Sequence, residues 1–424
     1  MKNYFYNRQN KGITLIALVV TIVVLLILAA VAIAAIQNEN ILSHANNAAV
    51  KYNQAVQNEQ DTLGGYLNFL DNLGGSGATI GDAEVGTKTT SLSTINGQEY
   101  SANNPVIPAG FIPINTATSS WDGADLAAEV KKGLVITDSV DSNGVSNGNE
   151  FVWIPVAEIN SFARLQDGSD VNYEGVLYNF TSTGATEKTS YGVSTTSIRE
   201  PANLTGTNSS GVDQSDKADR FTTIEWNANY YQESFNKMVN SVAKYKGFYV
   251  GRYEMSINAT SGKAESVAGA TPASASASSA NMWWGLYEKA LTYSTTGVIS
   301  EMIWGCQYDA MLKFILTGPD ASHVTAKTNV GHTSTEFTSM PYYTGGTNYS
   351  TVYTGSTEYN DIASNIYDLE GNAWEWTQEA TNTDLRVYRG GSCSLSNSPS
   401  FLLGKNPTLT GYLFGSRLAL YVGL

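Results

Sequence analysis

Apolar residues run from Ile13 to Ile36 without a charge among them. At about 1.5 Å per residue that length crosses a hydrocarbon core of about 30 Å, so a membrane helix is expected. The pattern then becomes periodic: Ile41, Ala45, Ala48, Tyr52, Val56, Leu63, Tyr66, Leu67 and Leu70 recur at helical spacing with polar residues between them. Gly74-Gly75-Ser76-Gly77 ends this stalk, and the Thr/Ser/Gly-rich stretch 76–104 reads as a linker or a small β-excursion. Short apolar runs follow at Pro105–Pro113, Lys132–Asp138 and Phe151–Val156, with Asn143-Gly144 and Asn147-Gly148 as hairpin turns between the last two. Helical spacing returns around Tyr231–Lys244, Gly285–Leu291 and Gln307–Leu316, where Tyr308, Met311, Leu312 and Leu316 form a core-facing stripe. The polar stretch 157–243 is too long for a plain loop and reads as an insertion. The Ala/Ser-rich run 257–281 reads as a solvated loop leading to Met282-Trp283-Trp284. The pattern predicts an α+β protein: a long N-terminal membrane and stalk helix over 13–75, then a head over 105–424 with irregular loops.

The most distinctive stretch is the last. Gly371-Asn372-Ala373-Trp374-Glu375-Trp376 is followed by Arg389-Gly390-Gly391-Ser392 and then by Gly415-Ser416-Arg417. Two tryptophans need a built pocket and an acceptor for each indole N–H, and Gly371-Asn372 supplies left-handed backbone ahead of them. These three segments, in this order, resemble the formylglycine-generating-enzyme and sulfatase-modifying-factor family. Glu150–Val156 resembles its opening strand, Lys246–Ser256 its FYIGRYEVT segment, and Met302–Phe314 stands where its LPTEAEWEYA helix lies. The resemblance implies a C-type-lectin-like head.

A second resemblance lies at the other end. Lys11-Gly12-Ile13-Thr14-Leu15-Ile16 resembles a type IV prepilin leader, with Lys2, Arg8 and Lys11 on the side that stays inside. It implies that a prepilin peptidase cuts after Gly12, so that Ile13 begins the mature chain and 1–12 is a leader. Insertion in a membrane with the head outside the cell, or in a pilus beside other pilin subunits, would follow. Ala17 occupies the position where pilins usually carry a glutamate, which points to a minor subunit or a non-assembling pseudopilin. An ordinary anchor helix is the plainer alternative.

Composition narrows the function. With 38 acidic and 24 basic residues and a formal charge of −14, the chain lacks the basic face that a nucleic-acid binder needs. Two cysteines, Cys306 and Cys393, allow one bridge or two free thiols and no disulfide framework. The family resemblance implies a copper oxidase whose two cysteines would fall at Leu395 and Ser400, and neither is cysteine, so the chemistry leans away from an enzyme. The related sulfoxide synthases hold iron with histidines. Here His44 lies on the stalk, and His323 and His332, in a polar stretch, read as solvated. Relatives also bind structural calcium near the GNAWEW turn, which makes Asn372 and Glu375 candidate oxygen ligands; a plain turn cap is the alternative for Glu375.

The segment Cys393–Ser416 has its own signature. It contains no Glu, Gln, Met or Trp and a single Lys405. Those five residue types are the ones that randomised AAC or AAT codons cannot encode. Position and composition resemble the variable segment of proteins diversified by retroelements, whose targets often carry a C-type lectin fold. A long irregular segment held at both ends by rigid strands can vary without unfolding the core. Cys393, Leu395, Asn397, Phe401, Leu402, Leu403, Asn406, Leu409, Tyr412, Leu413 and Phe414 are therefore the candidate contact residues, for an unidentified protein or glycan, with a buried plug as the alternative for the apolar ones. The function expected is ligand binding at a cell surface or on a pilus. A divergent formylglycine-generating oxidase and a purely structural minor pilin are the alternatives.

Overall fold

The computed structural model describes residues 22–25, 80–114, 126–188, 200–273, 283–293, 295, 297–325, 353–355, 362–392, 397–409 and 414–424. The chain divides into two units, Met1–Thr79 and Ile80–Leu424. Of the first, only Ile22–Leu25 is described, as helix. Gly12, Ile13, Ala17 and the rest of the stalk lie outside the described residues.

The second unit is organised by a six-stranded antiparallel sheet. Its strands are β1 (Ile112–Ile114), β2 (Val135–Thr137), β3 (Glu150–Pro155), β4 (Gly247–Gly251), β5 (Val298–Met302) and β10 (Leu418–Val422), in the order β5-β10-β4-β3-β2-β1. The central strands read FVWIP, GFYVG and LALYV and are buried nearly throughout. Such continuous apolar runs, bounded by Gly and Pro, suit strands covered on both faces.

Among the described residues of this unit four helices accompany the sheets: α1 (Leu126–Lys132), α2 (Tyr230–Tyr245), α3 (Trp283–Ala290) and α4 (Gly305–Thr317). Helix α2 buries Tyr231, Phe235, Met238, Val239, Val242 and Tyr245, one stripe at three-to-four spacing, against β4 and β10. It stops where Lys246 turns left-handed at φ 64°, and the chain enters β4 at once. The stretch 157–243 contributes Phe162, Leu177, Phe221, Tyr231 and Phe235 to the common core. Residues 80–104, read as a linker or a small β-excursion, contain two strands of a small sheet completed by Val106–Ile107. Their hydroxyls and amides close on the backbone, as where Thr89 Oγ1 donates to Pro108 O at 2.7 Å.

The expected fold class is corrected accordingly. The described residues are mostly β-sheet with a few helices, and the longest of these, α2, has 16 residues. Among the described residues no helix is long and apolar enough to cross a membrane, which overturns the membrane-spanning N-terminal helix and the single-pass membrane or pilus location inferred from it. The physical reason lies in run length. Apart from the N-terminal tract, the chain keeps its apolar residues in runs of about five, which is strand length rather than membrane-helix length.

Candidate functional site

A second sheet carries the C-terminal motifs. It comprises β6 (Trp374–Ala380), β7 (Arg386–Arg389), β8 (Leu402–Lys405) and β9 (Phe414–Ser416), in the order β8-β7-β6-β9. Strand β6 is antiparallel to β7 and parallel to β9, so β8 is an edge. Trp376 is fully buried, stacked on Phe414 at 5.3 Å and edge-on to Tyr388 at 5.8 Å. Trp374 packs on the same two rings at 5.0 Å. The sequence led to an acceptor for each indole N–H; among the described residues neither has one. The left-handed residue of the preceding turn is Asn372, at φ 57°.

Three buried arginines fix this sheet. Arg386 donates from Nη2 to Asp216 Oδ2 at 2.6 Å and lies 4.2 Å over the Trp283 ring. Arg389 grips Glu379 through Nε (2.7 Å) and Nη2 (2.8 Å) and reaches Asp309 through Nη1 (3.0 Å). Arg417 donates from Nε to Glu375 Oε1 at 3.0 Å, and from Nη1 and Nη2 to the carbonyls of Gly251 (2.9 Å) and Tyr367 (2.7 Å). Bidentate guanidinium pairs of this kind are directional as well as strong. Burial pushes the Glu375 carboxyl above its ordinary range while Arg417 opposes the rise. Glu254, which accepts from Asn372 Nδ2 and from the Ala373 N–H, is pushed well up by burial and by the charges of Asp368 and Glu375.

The two residues expected to hold calcium are thus engaged with protein groups, Glu375 with Arg417 and Asn372 with Glu254. Among the described residues no group of three or more His, Cys, Asp or Glu is placed to hold a metal ion. Cys306 is buried in the first turn of α4, with its thiol pushed well up by burial and by Glu200. His323 does not stand free in solvent as expected; its Nδ1 lies 3.0 Å from Oε1 of the buried Glu370.

Between Arg389 and Arg417 runs the candidate contact segment. Gly390 takes φ +74°, and a Cβ on Gly391 would lie 1.8 Å from the Glu370 carbonyl oxygen. The RGGS turn therefore needs glycine because the Leu369–Glu370 backbone passes directly beneath it. We expect Gly391→Ala to cost about 1–3 kcal/mol through this overpacking, measured as a lowered urea midpoint of the full chain.

Cys393, Leu395, Tyr412 and Leu413 lie outside the described residues. Alternation along β8 places Phe401 and Leu403 against the core, leaving Leu402 on the other face, half exposed. Asn406 is half-buried and Leu409 is exposed. Two expected contact residues are placed otherwise: Phe414 is buried between Trp374, Trp376 and Tyr388, and Asn397 is buried behind Gly391. The far end of the segment rests on neighbours that the sequence did not link to it. Trp283 N–H donates to Pro407 O at 3.1 Å, and Thr408 Oγ1 donates to Gln214 Oε1 at 2.9 Å. The same Gln214 side chain donates from Nε2 to Val212 O at 3.1 Å, so one buried carboxamide joins the 207–213 hairpin to the segment.

No family model matches the chain, and no curated protein matches it. Two solved structures are similar to parts of it. CarF shares 14% identity with a TM-score of 0.28, over 42% of this chain and 87% of that one. Treponema denticola variable protein 1 shares 15% identity with a TM-score of 0.23, over 66% of this chain and 98% of that one. Neither likeness is close enough to assign a fold or a function.

Proposed function

We propose that this protein binds a protein ligand through the segment 393–409, with Leu402 and Leu409 as its outward apolar contacts. The observation that carries the reading is the contrast along one stretch of chain. Arg389 and Arg417 are fully buried and ion-paired, whereas the intervening edge strand and its continuation present half-exposed and exposed leucines. A rigid frame that pre-orders an apolar contact lowers the entropic cost of association. Aliphatic side chains favour a protein surface over a glycan, which is usually met by aromatic rings and polar groups. The missing Glu, Gln, Met and Trp further support diversification of the segment at adenine-containing codons.

The test uses the labelled full chain on peptide and glycan arrays, then repeats each hit with Leu402→Ser/Leu409→Ser. Both positions tolerate a polar residue, so the fold should persist while affinity for peptide hits falls at least about tenfold. Hits confined to glycans, or unchanged affinity in the double variant, would sink the reading. Deep sequencing of codons 393–416 from a clonal culture tests diversification separately: substitutions confined to that window support it, and an invariant segment removes it.

A further inference from the structure

We infer that His323 and Glu370 form a pH-dependent latch that holds the base of the contact segment in place. The pair closes a small pocket lined by Ile315, Val324, Ala363, Leu369 and Pro399. Pro399 belongs to the segment, and the next residue, Ser400, donates its N–H to Val324 O at 3.2 Å, one residue from the histidine. The 3-10 turn Ala321–Val324 therefore meets the Glu370 side chain through His323 on one side and the segment through Val324 on the other, and Leu369 lines the same pocket. The Leu369–Glu370 backbone lies under the RGGS turn. Both supports of the segment's first half thus meet at one ion pair.

His323 is the member that titrates. Its side chain is 22% exposed, so protons reach it, while the Glu370 side chain is 1% exposed. Among the described residues the charged groups around the imidazole are Glu370 and, next to its own turn, Asp320; α4, the Ile362–Ala363 strand and the segment contribute the uncharged Ile315, Ala363 and Pro399. The hydrogen bond to Glu370 raises the His323 pKa above its ordinary 6.5, against an opposing effect of burial. A raised histidine stabilises its contact at low pH, and the contribution is lost as pH rises through the folded-state pKa. Protonated, His323 adds an ion pair to the hydrogen bond; deprotonated, it contributes a neutral hydrogen bond only.

That the latch regulates binding rests on the contact-segment reading above, but the latch itself is testable without a ligand. Hydrogen exchange of the full chain, corrected for intrinsic pH dependence, is compared at pH 6 and pH 8.5 in peptides spanning 397–403. At the higher pH, protection is expected to fall about three- to tenfold further in the wild type than in His323→Gln, beyond the decline that the buried Glu200 imposes on both proteins. Equal falls in the two proteins would overturn the latch, because the loss would then arise from another group. A working latch in a protein whose array hits ignore Leu402 and Leu409 would leave the latch standing and remove the binding surface.

Discussion

Arg417→Met should destabilise the protein by about 3–5 kcal/mol, because it strands the buried Glu375 carboxylate without its guanidinium partner. The loss includes two further acceptors, the carbonyls of Gly251 and Tyr367, which lose their N–H partners. Removing both charges is a milder change. In Arg417→Met/Glu375→Leu no ion remains unpaired at that position, so the double variant should recover a large part of the loss. Urea unfolding followed by tryptophan emission reads the wild type, the two single variants Arg417→Met and Glu375→Leu, and the double variant. If Arg417→Met costs under about 1 kcal/mol, or the double variant costs the sum of the two singles, the arginine is not the fastening that its geometry indicates.

The second large effect is on pH. Glu200 is fully buried, and its oxygens accept the N–H groups of Gly305 and Cys306 at the start of α4. Those bonds favour ionisation, yet burial and the charge of Glu379 prevail and raise its pKa from 4.5 to about 8. Below pH 4.5 the residue is protonated whether or not the chain is folded. Between 4.5 and 8 the unfolded chain releases a proton that the folded chain keeps, so folding stability declines as pH rises across that window and levels off above it. The decline should be on the order of 4 kcal/mol. Glu200→Gln cannot ionise, so its urea midpoint should change far less than the wild type's between pH 5 and 8.5. An equal slope in the two proteins would refute the assignment.

Much of the second unit is legible in the chain itself. EFVWIPV, KGFYV and the closing LALYV announce buried strands by their continuous apolar character, and helix α2 is visible in the spacing of Tyr231, Phe235, Met238 and Val242. The glycines of the RGGS turn are legible as a backbone requirement, although what they accommodate, the Glu370 carbonyl, lies in another part of the chain. The ion pairs are not legible. Arg417 and Glu375 are more than forty residues apart, and no local period connects Arg389 to Asp309 or Arg386 to Asp216. Polar composition left residues 80–104 open between a linker and a small β-excursion; their Thr and Asn side chains hydrogen-bond the backbone, and only Ala83, Leu92, Ile95 and Tyr100 reach the core. Within the contact segment, Phe414 is apolar like the exposed Leu409, and only the ring cluster around it reveals that it is core.

The strand order has one more consequence. Strand β10 follows the contact segment in the chain, yet it lies inside the six-stranded sheet, between β5 and β4. A reading-frame error anywhere in 393–413 would scramble every residue after it, including Arg417 and β10. The sheet would then lack an interior strand, and β5 would have nothing to join. Substitutions in the segment can leave the frame standing, whereas insertions of one or two nucleotides cannot. The architecture therefore acts as a proofreader: only chains translated in register beyond the segment can fold well enough to display it.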